Sequence, residues 1–310
     1  MQTQRQSAVY DHLCHVVRDY LSVLRIYRKP QTVQHAQVSL QMFQQWCVDN
    51  GIVSVQQVDR HAIRRYVMFL MQQYTSKHTV WSYCCDLRAF LHWCVDEDIL
   101  PNMPVKPRDF PSKPAPTPKP LSVAEIQHLL KTAEDARFSW IAARNRALIY
   151  VLLHTGIRRG EVVQMTVADV DRMTFTVMQK GDRLHVVYLN EECVAEIRRY
   201  LRLFARHFGY SLQPSDPLWR SYSGEPLDGH GLHAVFRRLS LKSGLDIWCH
   251  RFRQTSATLR LASGASTEVV RTALGHREER SLQSYVQLAQ RDVARLLDQT
   301  SPLRLLRRKR

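Results

Sequence analysis

The sequence predicts a mainly α-helical protein of two domains, the second of which carries one small antiparallel β-sheet. Apolar residues recur at helical spacing through the first hundred residues and again after position 120. A segment rich in proline and lysine separates these two regions, and a single pair of short segments has the pattern of two strands joined by a turn. The chain has 310 residues, 45% of them apolar, which is enough for two hydrophobic cores.

Four helices are expected in the first domain. They are predicted to begin near Tyr10, after Pro30, near Val58 and near Ser76. Asn50-Gly51 should end the second helix, because glycine readily takes the left-handed conformation of a C-terminal cap. Short loops join the helices, so a compact bundle is expected. Its polar faces carry Arg60, Arg64, Arg65, Lys77, His78 and Arg88, which fit either an ordinary solvated face or a face laid along a nucleic-acid backbone.

A proline- and lysine-rich segment marks the domain boundary. Pro111-Ser112-Lys113-Pro114-Ala115-Pro116-Thr117-Pro118-Lys119-Pro120 has the composition of an extended, semi-rigid linker. We therefore expect an N-terminal helical domain over 1–110, a linker over 111–120 and a second domain over 121–310.

The second domain opens with a predicted capping box, Ser122-Val123-Ala124-Glu125. A helix over about 145–154 is apolar nearly all round, so it should be buried, and Gly156 should end it. Two strands are predicted over 174–178 and 184–189, with a turn at 179–183. Further helices are expected over 190–208, 231–243, 251–263 and 266–275.

Composition narrows the class of function. The formal net charge is +16 and the sequence pI is about 9.8, which favours an anionic partner, although proteins that bind DNA, RNA or membranes share this property. The sequence contains no run of eighteen apolar residues that would predict a membrane span. Its N-terminus lacks the apolar core of a signal peptide, so a cytoplasmic protein is expected. Seven cysteines at irregular spacing indicate neither a disulfide framework nor a zinc site.

Three motifs in the second domain carry residues suited to phosphate chemistry. They are Thr155-Gly156-Ile157-Arg158-Arg159-Gly160-Glu161, His250-Arg251-Phe252-Arg253, and Leu274-Gly275-His276 followed nine residues later by Tyr285. A planar guanidinium donates paired hydrogen bonds to a phosphodiester, and a tyrosine can act as a covalent nucleophile. The order of these residues suggests breaking and joining of nucleic acid without a metal.

Each motif alone has an ordinary structural interpretation. Arg158 could cap the carbonyls of the preceding helix, Glu161 could be a first-turn glutamate, and Tyr285 could be a half-buried aromatic residue. Arg159 competes with Arg158 for a role in binding phosphate. The structural interpretations become improbable only when all three motifs are taken together.

Together the motifs resemble those of tyrosine recombinases, the lambda-integrase and Xer type of site-specific DNA recombinase. The resemblance extends over nearly the whole chain. It implies that Arg158 and Arg253 bind the phosphate, that His250 has the proton role, that His276 is a phosphate ligand and that Tyr285 is the nucleophile. It also implies that Lys180, in the turn of the hairpin, is the catalytic lysine; Glu161 would support Arg158. Gln254 stands where the family often has histidine.

The resemblance also implies a reaction and a set of partners. Tyr285 would form a 3′-phosphotyrosyl intermediate, and strands would exchange through a Holliday junction during integration, excision or resolution. The two domains would form a C-shaped clamp around double-stranded DNA. A homo-tetramer would act on two DNA sites, with a dimer on each, assisted in some cases by accessory DNA-binding proteins. No metal or nucleotide cofactor and no membrane are expected, and the bound protein would be associated with the nucleoid.

Two other functions remain open from the residues. A catalytically silent DNA-binding or architectural protein could use the same domains, and a type IB topoisomerase shares the tyrosine chemistry without partner exchange. The six matched residues disfavour the first, and the N-terminal helical domain and the His276 motif disfavour the second.

Overall fold

The computed structural model describes residues 2–115, 118–179 and 183–275. The chain forms two compact units, Met1–Ala115 and Pro116–Arg310. Their described parts are mostly helical and contain one two-stranded antiparallel sheet, which confirms the predicted fold class. No helix in the described ranges is long and apolar enough to cross a membrane.

The N-terminal unit contains the four predicted helices: α1 Gln2–Tyr27, α2 Pro30–Asp49, α3 Arg60–Gln73 and α4 Lys77–Asp96. Side chains of Asp59 and Ser76 accept hydrogen bonds from backbone N–H groups at the starts of α3 and α4. In each helix, one first-turn N–H group that would otherwise lack a partner is thus hydrogen-bonded. Gly51 has a φ of +70° just after α2, which confirms the predicted stop. The core contains Leu40, Phe43, Ile63, Leu70, Phe90 and Leu91, all fully buried.

Three of the basic residues predicted on the polar faces make contacts within this unit. Arg60 Nε lies 2.9 Å from Asp109 Oδ2, and Arg64 Nη2 lies 2.6 Å from Asp109 Oδ1. Arg65 stacks over the ring of Trp46 at 5.6 Å. These contacts fasten the end of the unit to α3, so part of the basic character of α3 serves the fold.

The C-terminal unit contains α5 Val123–Glu134, α6 Ser139–Thr155, α7 Arg159–Val162, α8 Val167–Arg172, α9 Glu191–Phe208, α10 Gly229–Ser243, α11 Cys249–Ala262 and α12 Thr267–Leu274. The capping box at Ser122 and Glu125 is present. Helix α6 begins six residues before the predicted start, because Trp140 and Ala143 extend its buried face. Helices α7 and α8 are too short for a periodic pattern, so the sequence did not predict them.

Helix α6 lies at the centre of this unit and contacts α5, α9 and α11. Ala147, Leu148 and Ile149, which follow one another about 100° apart around the helix, are all fully buried, as its apolar character predicts. A helix covered on every side has little freedom to move, so it fixes whatever lies at its two ends.

The sheet is a hairpin of β1 Thr174–Gln179 and β2 Arg183–Tyr188, close to the predicted strands. Thr176 pairs with Val186, and Met178 pairs with Leu184. Alternate residues point into the core, as in any half-buried strand. The opposite face, called here the outer face of the hairpin, leaves four apolar side chains 44–70% exposed: Met178, Leu184, Val186 and Tyr188.

Candidate active site

The candidate site begins where α6 ends. Gly156 adopts φ +61° and caps the helix, as predicted. A Cβ atom at this position would collide with Cδ2 of Leu274 and would also contact Ser256. Glycine is therefore required for two reasons: the left-handed backbone, and the close approach of α11 and α12 to the end of α6.

Arg158 follows at the start of α7, where it is paired with Glu161. Its Nη1 donates a 2.8 Å hydrogen bond to Glu161 Oε1, and its backbone N–H donates to Oε2 over 2.8 Å. The side chain of Arg158 is 48% exposed, whereas that of Glu161 is 11% exposed. Glu161 thus holds the guanidinium of Arg158 and also caps α7. It therefore both supports Arg158 and serves as a first-turn glutamate, the two interpretations drawn from the sequence.

Arg253 lies on α11 and is almost fully buried, at 1% exposure. Its Nη1 donates to the carbonyl oxygen of Gly156 over 2.8 Å, and its Nη2 donates to that of Leu274 over 2.7 Å. One guanidinium therefore joins the C-terminal ends of α6 and α12. These carbonyls are among the last-turn groups that a helix cannot satisfy internally.

His250 stands in the first turn of α11, one helical turn before Arg253. One side of its ring remains exposed to solvent. Burial of the other side, and then the charges of Arg253 and Arg158, lower the pKa of His250 below its usual value of 6.5. Arg158, at the start of α7, thus lies close to His250 and Arg253 on α11. Because the pKa of His250 is lowered, its imidazole is neutral at pH 7.

A third histidine, His185, shares this environment, and the sequence motifs did not predict it. His185 lies on the inner side of β2 and is half-buried. Burial lowers the pKa of His185, and a hydrogen bond to the backbone of Ala273 partly offsets this effect. The charge of Glu161 raises the pKa, whereas the charges of Arg253 and Arg158 lower it. Its Nε2 is buried without a hydrogen-bond partner in the described structure. The alternation of inner residues along β2 was the signal that could have revealed it.

The residues of the candidate site lie in the part of the chain that matches a known protein family. Residues 119–291 match the family model described as the phage integrase family. The chain belongs to the phage integrase family.

Individual relatives match this chain over most of its length. It is 29% identical to the tyrosine recombinase XerD of Pseudomonas aeruginosa over 263 residues, covering 84% of this chain and 86% of the relative. It is 23% identical to the tyrosine recombinase XerC of Leptospira interrogans over 289 residues, covering 92% and 91% of the two chains.

Solved structures show the same fold. A lambda integrase dimer bound to a core site matches with a TM-score of 0.68 and 16% identity, covering 88% of this chain and 95% of that one. The site-specific recombinase XerH, bound to a palindromic substrate, matches with a TM-score of 0.67 and 19% identity, covering 88% and 80%.

Three of the predicted site residues lie outside the described residues: Lys180, His276 and Tyr285. The described structure ends next to each of the first two. Strand β1 ends at Gln179, and Gly275 caps α12 with φ +63°. The hydrogen bonds from His185 and Arg253 to Ala273 and Leu274 hold the chain directly before residue 276.

Other residues of the three motifs have different surroundings. Arg159 lines a cavity of about 290 Å³ together with His233, Trp248 and His250, and Arg253 is not part of that lining. Arg251 is buried and donates to Lys119 O, Asp246 O and Glu125 Oε1 over 2.8, 2.6 and 3.0 Å. Gln254 Oε1 accepts a hydrogen bond from Lys119 N over 3.0 Å. Arg251 and Gln254 therefore hold the beginning of the unit.

Proposed function

We propose that this member of the phage integrase family is a site-specific DNA recombinase that cleaves duplex DNA with Tyr285 as the nucleophile. One observation carries the proposal: Arg158, His250 and Arg253, which lie up to 95 residues apart in the sequence, meet at the end of α6. Two guanidinium groups beside a neutral imidazole suit a phosphodiester that must gain negative charge during attack.

The cleavage step transfers one phosphoryl group. The hydroxyl oxygen of Tyr285 attacks the phosphorus and forms a P–O bond, while the bond from phosphorus to the 5′ oxygen breaks. His250 takes the tyrosine proton, and Lys180 gives a proton to the leaving 5′ oxygen. The product is a 3′-phosphotyrosyl linkage, and a 5′ hydroxyl from another strand reverses the step. Pairwise exchange of this kind passes through a Holliday junction and requires neither a nucleotide nor a metal.

Arg158 would bind the phosphate. Of its guanidinium nitrogens, only Nη1 donates to a protein group within the described structure, so Nε and Nη2 remain available to non-bridging oxygens. Glu161 holds the guanidinium in place before DNA arrives, which reduces the cost of ordering the side chain on binding. Arg253 is held by two carbonyls, so its contribution is a rigid positive charge beside His250. His276 would complete the set of phosphate ligands.

The proposed assembly follows from the same reaction. Exchange between two duplexes needs four nucleophiles, so a homo-tetramer with a dimer on each site is proposed, with accessory DNA-binding proteins as further partners. An N-terminal domain over 1–110 and a catalytic domain over 121–310 would both contact the duplex, joined by the linker at 111–120. The site of action would be DNA in the cytoplasm, at the nucleoid.

Covalent trapping tests the proposal. Nicked duplexes drawn from the DNA that flanks the gene would be incubated with the native protein and with Tyr285→Phe, and adducts resolved on a denaturing gel. We expect an adduct with the native protein that is absent with Tyr285→Phe. An adduct that persists in the variant would show that the nucleophile is another residue. Tight duplex binding without any adduct would favour a catalytically silent DNA-binding protein.

A second assay separates recombination from relaxation. A plasmid with two copies of the cleaved site should give recombinant circles, whereas a plasmid without the site should stay supercoiled. Relaxation of the plasmid without the site would favour a type IB topoisomerase.

A further inference from the structure

A cavity of about 300 Å³ lies beside the first half of α6, at the end of that helix opposite Arg158. Four cationic side chains line it, Arg137, Arg144, Arg238 and Lys242, together with the single carboxylate of Asp135. It is called here the Arg144 cavity. Helices rise 1.5 Å per residue, so Arg144 lies about 16 Å along α6 from Thr155. A group bound in this cavity is therefore not the phosphate bound by Arg158.

Arg144 is a fixed, buried cation. Its side chain is 2% exposed and stacks over the ring of Trp140 at 5.6 Å. Nε and Nη2 donate to Asn145 Oδ1 over 3.2 and 2.8 Å, and Nη1 donates to Arg220 O over 2.6 Å. All three bonds go to neutral oxygens. No ion pair among the described residues gives Arg144 a carboxylate.

The guanidinium of Arg144 has more N–H groups than it has partners among the described residues. It carries five N–H groups, and three of them have the partners just named. One N–H on Nη1 and one on Nη2 thus have no protein partner among the described residues. Burial lowers the pKa of Arg144 to about 10, so it is still charged at neutral pH. A buried charge without a counterion is costly, and a bound anion would remove that cost.

The remaining cations stand at the rim and are flexible by comparison. Arg137, Arg238 and Lys242 are all exposed. Lys242 Nζ lies 3.1 Å from Asp135 Oδ2, so the one carboxylate that the described residues contribute to the lining is already paired. The lining thus has a net charge of +3 in a small volume. A single carboxylate ligand would leave most of this charge unbalanced, whereas a tetrahedral phosphoryl group presents several charged oxygens.

We propose that the Arg144 cavity binds a small phosphoryl-bearing anion, with Arg144 as its rigid floor and Arg137, Arg238 and Lys242 closing over it. The size of the cavity is at the lower end of small-molecule sites, which suits anions from inorganic phosphate to a nucleotide. The same chemistry would recognise a backbone phosphate of DNA, so the test must separate a soluble source from a duplex.

Titration calorimetry with pyrophosphate tests the assignment on the full chain without DNA, at constant ionic strength. The test variant is Arg137→Gln with Arg238→Gln, which removes two exposed charges and spares the core. The control is Arg202→Gln, which removes one exposed charge on α9 outside the cavity lining. We expect the native protein and the control to bind pyrophosphate alike, and the double variant to bind it about 5- to 30-fold more weakly.

Each other outcome overturns part of the proposal. Equal binding by all three proteins would mean a non-specific attraction to a basic surface. No heat of binding with millimolar pyrophosphate would exclude a soluble ligand. In that second case, duplex affinity measured by fluorescence anisotropy decides the source. A loss in the double variant but not in Arg202→Gln would assign the cavity to a DNA backbone phosphate, and no loss would leave it without a phosphoryl ligand. Melting temperatures of the three proteins confirm that the fold is intact.

Discussion

Arg253 donates a 2.7 Å hydrogen bond from its buried guanidinium to the carbonyl oxygen of Leu274, two residues before His276. The same guanidinium bonds to Gly156, two residues before Arg158. A residue expected from its motif to bind phosphate thus also holds together the two chain segments that enter the site. Activity and stability should therefore respond differently to changes at Arg253 and Arg158.

Replacing Arg253 should damage the fold, whereas replacing Arg158 should not. Arg253→Ala leaves two carbonyls without their donors and a void in the core, so we expect the free energy of unfolding to fall by about 3 kcal/mol. Arg158→Ala removes an exposed side chain and should change it by less than about 1 kcal/mol. Both should slow adduct formation by about 100- to 1,000-fold. Urea unfolding and single-turnover cleavage measure the two effects, and equal stability losses would contradict the prediction.

Gly156→Ala should be more destabilising than a similar change at an open position. Both Gly156 and Gly209 have positive φ values, at +61° and +76°, so alanine costs about 1–2 kcal/mol at either position. Only at Gly156 would the new Cβ collide with Leu274, whereas nothing lies within 4 Å at Gly209. We expect the additional loss at Gly156 to exceed about 1 kcal/mol. Thermal melts of the two variants test this, and equal melting temperatures would count against the close packing described here.

His185 should act through the nitrogen that faces Ala273. A carbonyl oxygen only accepts hydrogen bonds, and Nε2 has no partner among the described residues, so Nδ1 carries the proton in the neutral ring. Asparagine can place a donor near the position of Nδ1, and glutamine near that of Nε2. We expect His185→Asn to retain most of the rate of adduct formation and His185→Gln to lose about 10- to 100-fold, because the segment before His276 shifts.

Two controls separate this positioning effect from general damage. Duplex affinity should be unchanged in both variants. In a His276→Ala background, His185→Gln should cause little further loss, because both changes act on the same part of the site. Full additivity of the two losses would show that His185 acts elsewhere.

The stability of the C-terminal unit should decline as the pH falls below 6.5. Burial lowers the pKa values of His154, His185 and His250 in the folded protein. Between those lowered values and 6.5, the unfolded chain binds protons that the folded chain does not, so acid favours unfolding. Urea unfolding at pH 7.5, 6.5 and 5.5 measures the decline. His154→Gln should make it shallower, and the same change at the exposed His61 serves as the control.

The sequence was most informative where a local pattern determines the structure. Periodic apolar residues predicted the long helices, and Gly51 and Gly156 ended helices as expected. It was less informative where distant residues meet. The burial of Arg253 depends on carbonyls 97 and 21 residues away, and the place of His185 depends on the packing of β2 against α12. Alternation along β2 predicts that His185 faces inward, but no local pattern in the sequence predicts either contact.

The outer face of the hairpin has a practical consequence for handling the protein. Met178, Leu184, Val186 and Tyr188 present apolar surface on a short sheet whose strands are paired on one side only within the described residues. Unpaired strand edges beside apolar side chains favour intermolecular β-association. Concentrated samples should therefore associate through this hairpin, and a Val186→Lys substitution, on the solvent side of β2, should improve their solubility.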